Sequence, residues 1–138
     1  MILAAVGVAT YLGVGRPRLK RWGATDEEVA ATYPGDDLVP GAGNPSTMAT
    51  CLPAPPEEVW PWLAQMGCDR AGWYSWDRLD NGGRPSAATI HPEWQDLAEG
   101  GRMLSMPSGA TWFTAAVVEA PTTLVLWADI ELPSGKAF

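Results

Sequence analysis

The sequence APPEEVWPWLAQMGCDRAGWYSWDRLD, residues 54–80, is the stretch that decides the fold. Pro55 and Pro56 suit the first turn of a helix, because no intrahelical partner is needed there for a backbone N–H. Glu57 and Glu58 then place negative charge at the positive end of the helix dipole. The sequence therefore predicts that a helix begins here.

An apolar stripe continues this helix. Its members follow the spacing i, i+3, i+4, i+7, which places them on one helical face; they are Val59, Trp62, Leu63 and Met66. We predict a helix over Glu57–Gln65 that packs Val59, Leu63 and Met66 against a sheet. Pro61 should make the helix irregular, because an internal proline removes a hydrogen bond. A second, shorter element is predicted over Tyr74–Leu79, since Asn-Gly-Gly follows as a stop signal.

Strand signals lie on both sides of this helical region. Turn residues separate segments that are rich in β-branched and aromatic side chains: Thr47–Leu52, Arg102–Met106, Thr111–Glu119 and Thr123–Glu131. In the last segment apolar residues alternate with a period of two, which is typical of a strand with one drier face. Near the N-terminus, Thr25 and Glu28 form a capping box that predicts a helix over Asp26–Ala31. The fold class expected is α+β.

Charge is unevenly distributed along the 138 residues. Residues 1–21 hold four of the nine basic residues and none of the sixteen acidic ones. The rest of the chain is therefore strongly acidic and would be repelled by phosphate backbones, which makes nucleic acid an improbable partner. Three regions are predicted: an apolar segment with a basic flank over 1–21, an extended lead-in over 22–46, and the main domain over 47–138.

The N-terminal run Ile2–Val14 is apolar but shorter than the roughly 18 to 20 residues of a membrane-spanning helix. It lacks a preceding basic region and a small-residue cleavage site, so a signal peptide is not supported. Two interpretations stay open. One is membrane association through this segment, with the basic flank holding the domain on the cytoplasmic side; the other is a packed or frayed N-terminal helix of a cytoplasmic protein.

Few residues are suited to catalysis or metal binding. His91 is the one histidine and no G-x-S-x-G elbow occurs, so a hydrolase is rejected. Cys51 and Cys68 lack C-x-x-C spacing, and we expect two buried, reduced thiols. The acidic residues around Asn81 do not follow the spacing of a calcium loop. No catalytic residue, metal site or cofactor is predicted.

The order of these motifs carries a resemblance to a family. A strand, the APPEEVWPWLAQMG helix, the GWYSWDRLDN helix, the IHPEWQDL loop and a strand pair joined by EAPTTLVLW resemble the SRPBCC superfamily. The similarity is to its bacterial polyketide-cyclase/dehydrase-like members, and RPRLKRWGATDEEV is similar to their lead-in. The resemblance implies a START-like helix-grip fold: a curved antiparallel sheet, two short helices after the first strand, and an apolar cavity closed by a long C-terminal helix.

The chain departs from this family pattern at its end. It stops at Phe138, where the resemblance implies further strands and the long helix. We expect an incomplete domain in which Leu124, Leu126 and Ile130 lose the cover of that helix, so that the chain exposes apolar surface and self-associates.

The resemblance implies a ligand-binding function more than a reaction. Large rings with polar tips commonly line apolar pockets, and the residues next to the loops that ring the cavity mouth in this family are Tyr74, Trp76, Asp77, His91, Trp94 and Trp112. We expect binding of a small apolar or amphipathic molecule without a cofactor. The alternatives are a cyclase or dehydratase that uses Tyr74, Asp77 and His91 for proton transfer, a membrane-attached interaction module, or a truncated remnant without activity. His91 itself is predicted not to be catalytic.

Overall fold

The computed structural model describes residues 7, 9–41, 43 and 45–128. The chain divides into two compact units, Met1–Pro53 and Ala54–Phe138. The predicted strand end at residues 129–131 and the first part of the apolar N-terminal run lie outside the described residues. The described part is α+β, as predicted, with short helices and a three-stranded antiparallel sheet.

The first unit consists of short helical elements. A π-helical turn over Tyr11–Gly15 leads into helix α1 over Arg16–Leu19, and helix α2 spans Asp26–Ala30. The capping box of α2 is confirmed: the Thr25 hydroxyl accepts from the Glu28 N–H at 3.2 Å, and the Glu28 carboxylate accepts from the Thr25 N–H at 2.7 Å. A 3₁₀ turn over Asp36–Leu38 follows.

The predicted first strand over Thr47–Leu52 is wrong. This segment is extended, but it forms no strand of the sheet. The Thr47 N–H donates to Lys20 O at 2.9 Å and the Ala49 N–H donates to Trp22 O at 3.0 Å. These donors bond to the turn after α1, where Gly23 lets the chains approach: a Cβ there would lie 2.0 Å from Ala49 O. The segment therefore belongs to the first unit.

The two helices predicted in the second unit are present, but their bounds differ from the predicted ones. Helix α3 spans Pro56–Ala64 and continues through Pro61. Its predicted stripe is half-buried, whereas Ala64 and the following Gln65 are fully buried. Helix α4 spans Asp77–Asp80 instead of starting at Tyr74. Tyr74 has a φ of 52°, a left-handed conformation that does not fit a right-handed helix.

The sheet has the order β1-β2-β3, with both pairs antiparallel. Strand β1 spans Arg102–Leu104, β2 spans Trp112–Glu119 and β3 spans Thr123–Ala128. The three strands and their two turns were predicted. A register shift between Ala115 and Val117 interrupts the second pair. The described side chains of β3 are all half-buried.

The core of the second unit is small, and its buried apolar residues come from the end of α3, the loop after it, β1 and β2. Met103 on β1 and Ala115 on β2 have no exposed surface, and Ala71 and Cys68 are 2% exposed. Both cysteines are free, but Cys51 is exposed, so the prediction of two buried thiols is wrong for Cys51. Burial raises the pKa of the Cys68 thiol, which donates to Asp80 O at 2.8 Å.

Within the described ranges, no helix has both the length and the apolar character that crossing a membrane requires.

Burial ranks the expected cost of core substitutions. Met103 is fully buried, so Met103→Ala should lower the free energy of unfolding by about 2 to 5 kcal/mol. Leu63→Ala should cost less, because Leu63 is half-buried. Leu79→Ala is the control: that side chain is 67% exposed, and a change within about 0.5 kcal/mol is expected. Urea unfolding of the three variants measures the order, and an equal cost at Met103 and Leu79 would contradict this core.

Candidate functional site

An open groove in the second unit lies between the loop before α4 and the β1–β2 turn. Its volume is about 510 Å³, within the range of small-molecule sites. We call it the Trp73 groove; it is lined by Trp73, Ser75, Asp80, Ser105, Met106, Thr111 and Phe113.

The Trp73 ring is held in place from two sides. Its indole N–H donates to Leu104 O at 3.0 Å, which ties it to β1. Its ring meets Phe113 of β2 edge to face, with centroids 5.3 Å apart. The backbone N–H of Trp73 donates to the buried Asn81 side chain at 3.1 Å. The apolar wall of the groove is therefore preformed.

Polar groups line the rest of the groove. The Ser105 and Thr111 hydroxyls are 2.6 Å apart, across the turn that joins β1 and β2. The Ser75 hydroxyl donates to the Asp80 carboxylate. An apolar wall with hydroxyls and one carboxylate beside it suits a molecule with both apolar and polar parts.

A buried polar cluster around Asn81 is joined to the Trp73 groove by the hydrogen bond from the Trp73 N–H to the Asn81 side chain. Asn81 is 2% exposed, and its amide donates to Asp77 Oδ1 at 2.7 Å and to Ser86 Oγ at 2.9 Å. Ser86 in turn donates to Asp77 Oδ1 from its hydroxyl at 2.7 Å and from its backbone N–H at 3.1 Å. The hydrogen bond from the Ser86 hydroxyl is the main cause that lowers the pKa of Asp77, and the Asn81 amide adds to it. Asp77 is thus an acceptor in a structural cluster.

A second buried amide, Gln65, joins α3 to the loop that carries His91. Its NH₂ group donates to the Tyr74 hydroxyl and to Thr89 O, the latter at 3.1 Å. Its oxygen accepts from the His91 N–H at 2.9 Å and from the Gln95 side chain at 3.4 Å. Gln65 has no exposed surface, and all four of its hydrogen-bonding positions are used.

His91 lies on the edge of this network. Its ring stacks on Trp94 with centroids 4.4 Å apart, and its Nδ1 lies 3.2 Å from Glu93 Oε1. The pKa of Glu93 is lowered, mainly by a hydrogen bond from its own backbone and then by the His91 ring. The Glu93 side chain is 62% exposed, so this is not the buried His–carboxylate pair that proton transfer would favour.

The six predicted ligand-binding residues take part in several separate contacts. Tyr74 and the His91 backbone share Gln65, and Trp94 stacks on His91. Asp77 belongs to the Asn81 cluster, Trp76 is 75% exposed, and Trp112 lies under the Arg102 guanidinium at 4.3 Å. None of the six lines the Trp73 groove.

Two of the groove's aromatic residues, Trp73 and Phe113, were left out of the predicted site. Phe113 lies in the predicted strand over Thr111–Glu119, and in a strand it shares a face with Ala115, which the structure shows to be fully buried. Nothing comparable marks Trp73, whose position depends on its hydrogen bond to a strand thirty residues further along the chain.

In the described part of the chain, no three His, Cys, Asp or Glu side chains come together as metal ligands. No protein family, curated protein or solved structure gives a significant match to this chain.

Removing the Gln65 amide should destabilise the second unit. Gln65→Met keeps the volume but leaves the His91 N–H and the Tyr74 hydroxyl without their partner. A buried group left unpaired costs about 1 to 3 kcal/mol, and the Tyr74 hydroxyl should contribute less because Tyr74 is 38% exposed. Gln95→Met is the comparison within the same network: Gln95 is half-buried and supplies only one of the four hydrogen bonds of Gln65, so its substitution should cost less. Urea unfolding measures both, and a Gln65→Met cost no larger than that of Gln95→Met would contradict the role of the network.

The Asp77 cluster predicts a dependence of stability on pH. The folded pKa of Asp77 is lowered, so its carboxylate stabilises the fold above the unfolded pKa of about 3.9. That contribution is lost as the pH falls from there through the lower folded pKa. Asp77→Asn should therefore reduce stability near neutral pH and flatten its decline in acid, whereas Asp96→Asn, at an exposed position, should not. Parallel acid profiles for Asp77→Asn and the unchanged protein would refute this.

Proposed function

We propose that the chain is a domain of the helix-grip kind that binds a small apolar or amphipathic molecule in the Trp73 groove. The observation that carries the proposal is the preformed aromatic wall made by Trp73 and Phe113 in a groove of about 510 Å³. The order of α3, α4 and an antiparallel strand pair supports the helix-grip part of it.

The composition of the Trp73 groove supports an amphipathic ligand. Aromatic and thioether side chains offer apolar contact, and hydroxyls beside them offer hydrogen bonds. The first unit also has a pocket, of about 440 Å³, but Glu28 and Asp36 are among its lining residues. Two carboxylates make that pocket a poorer site for an apolar molecule.

The contacts favour binding over a cyclase or dehydratase reaction. Proton transfer would need Tyr74, Asp77 or His91 to face a bound molecule. The Tyr74 hydroxyl is instead bonded to Gln65, the Asp77 carboxylate accepts from Asn81 and Ser86, and the His91 ring pairs with an exposed carboxylate. These partners give each group a structural role.

A charge placed in the Trp73 groove tests the proposal. Met106 lines the groove and is 51% exposed, so Met106→Lys should leave the fold intact. The probe is the neutral dye N-phenyl-1-naphthylamine, whose fluorescence rises in apolar sites. We expect Met106→Lys to weaken dye binding by about tenfold, which corresponds to about 1.4 kcal/mol.

The control is the same substitution at Met48, which is 63% exposed and lines the pocket of about 440 Å³ in the first unit. Met48→Lys should bind the dye as the unchanged protein does. If Met48→Lys loses binding and Met106→Lys keeps it, the ligand site lies in the first unit and the proposal fails.

A further inference from the structure

A buried nitrogen of Arg70 lacks a hydrogen-bond partner. Its Nη1 atom is inaccessible to solvent, and no described atom accepts a hydrogen bond from it. Buried polar atoms are nearly always paired, and an unpaired donor on a charged group is especially unfavourable. The surroundings of Arg70 therefore need an acceptor.

A small cavity lies beside the Arg70 side chain. Its volume is about 90 Å³, room for several non-hydrogen atoms. It is lined by Arg70, Gly72, Asn81, Arg84 and Pro85, and shares no lining residue with the Trp73 groove.

Neither arginine of the cavity forms a close ion pair with a carboxylate of the described residues. The ion pairs of the described residues are Arg21–Asp26 and His91–Glu93, so Arg70 and Arg84 belong to neither. The nearest acidic neighbour in sequence, Asp69, accepts instead from the Leu104 N–H at 3.1 Å.

Hydrogen bonds and close packing hold the walls of the cavity in place, so the two arginine side chains are the groups that could bind an anion there. The Arg84 guanidinium donates from Nη2 to Cys68 O, which anchors it. Both amide hydrogens of Asn81 are used by Asp77 and Ser86. Gly72 has a φ of 86°, and a Cβ there would lie 2.6 Å from Asn81 Nδ2, so the wall needs glycine at this position.

We propose that Arg70 and Arg84 form a binding site for a phosphate-sized tetrahedral oxyanion, either free or as the head of a phosphate monoester. Guanidinium groups bind phosphate oxygens through paired N–H donors. The chain as a whole has a net charge of −7, so binding here would require a specific local site and not a general attraction for anions. The inference does not depend on the function proposed for the Trp73 groove.

Calorimetric titration with inorganic phosphate at constant ionic strength tests the site. We expect saturable binding of one phosphate per chain, weakened at least tenfold in Arg70→Gln. The matched control is Arg78→Gln, an exposed arginine outside the cavity, which should bind as the unchanged protein does. Phosphate binding no stronger than chloride binding, equal affinity in Arg70→Gln, or an equal loss in Arg78→Gln would overturn the proposal.

Two further measurements keep the test decisive if Arg70→Gln does not fold. Arg70→Lys keeps the charge but lacks the planar fork, and should bind phosphate more weakly than the unchanged protein. In the unchanged protein, phosphate should shift the NMR signal of the Arg70 Nε–H group and leave that of Arg78 in place; no shift at Arg70 would overturn the proposal.

The source of the oxyanion is distinguished by comparing ligands. Glycerol phosphate that binds more tightly than inorganic phosphate would identify a monoester head as the ligand, and the reverse order would identify the free ion. Acetate that competes as well as phosphate would contradict a tetrahedral site.

Discussion

The buried amide of Gln65 is the constraint on which the second unit depends. Its side chain follows α3 directly and has no exposed surface. A primary amide offers two donors and two acceptor positions, and here each meets a partner: Tyr74 before α4, and Thr89, His91 and Gln95 in the loop that carries His91. A helix of nine residues could not fix this loop by apolar contact alone, because most of its stripe is half-buried. The hydrogen bonds of the amide are directional, and they fix the position of the loop.

Asn81 repeats this arrangement at the end of α4. It bonds to Asp77 and Ser86 through its NH₂ group and accepts from the Trp73 backbone through its oxygen. Asn81 bonds to Trp73, which lines the Trp73 groove, and Asn81 itself lines the small cavity beside Arg70 and Arg84. Polar side chains in the interior therefore position both candidate sites.

The elements were predictable where the signal is local. Helix α3 follows from Pro and Glu at its start and apolar spacing along it, and β2 and β3 follow from alternation and turn residues. The extended segment at residues 47–52 was misread because its composition resembles a strand, while its partners, at Lys20 and Trp22, are set by tertiary contacts. The Trp73 groove is not predictable from the sequence for the same reason. The Trp73 ring is positioned by its hydrogen bond to Leu104 O, and no local sequence pattern indicates that contact.

The small core described above has a consequence for mutational tolerance. In the described residues, the fully buried apolar positions are Ala64, Cys68, Ala71, Met103 and Ala115. At an alanine packed this closely, a larger side chain must displace its neighbours, and such overpacking is also destabilising. Several of the eight tryptophans, by contrast, are half-buried or exposed, and Trp22 and Trp76 are mostly exposed. Some of the smallest side chains of this fold should therefore tolerate substitution less well than some of the largest.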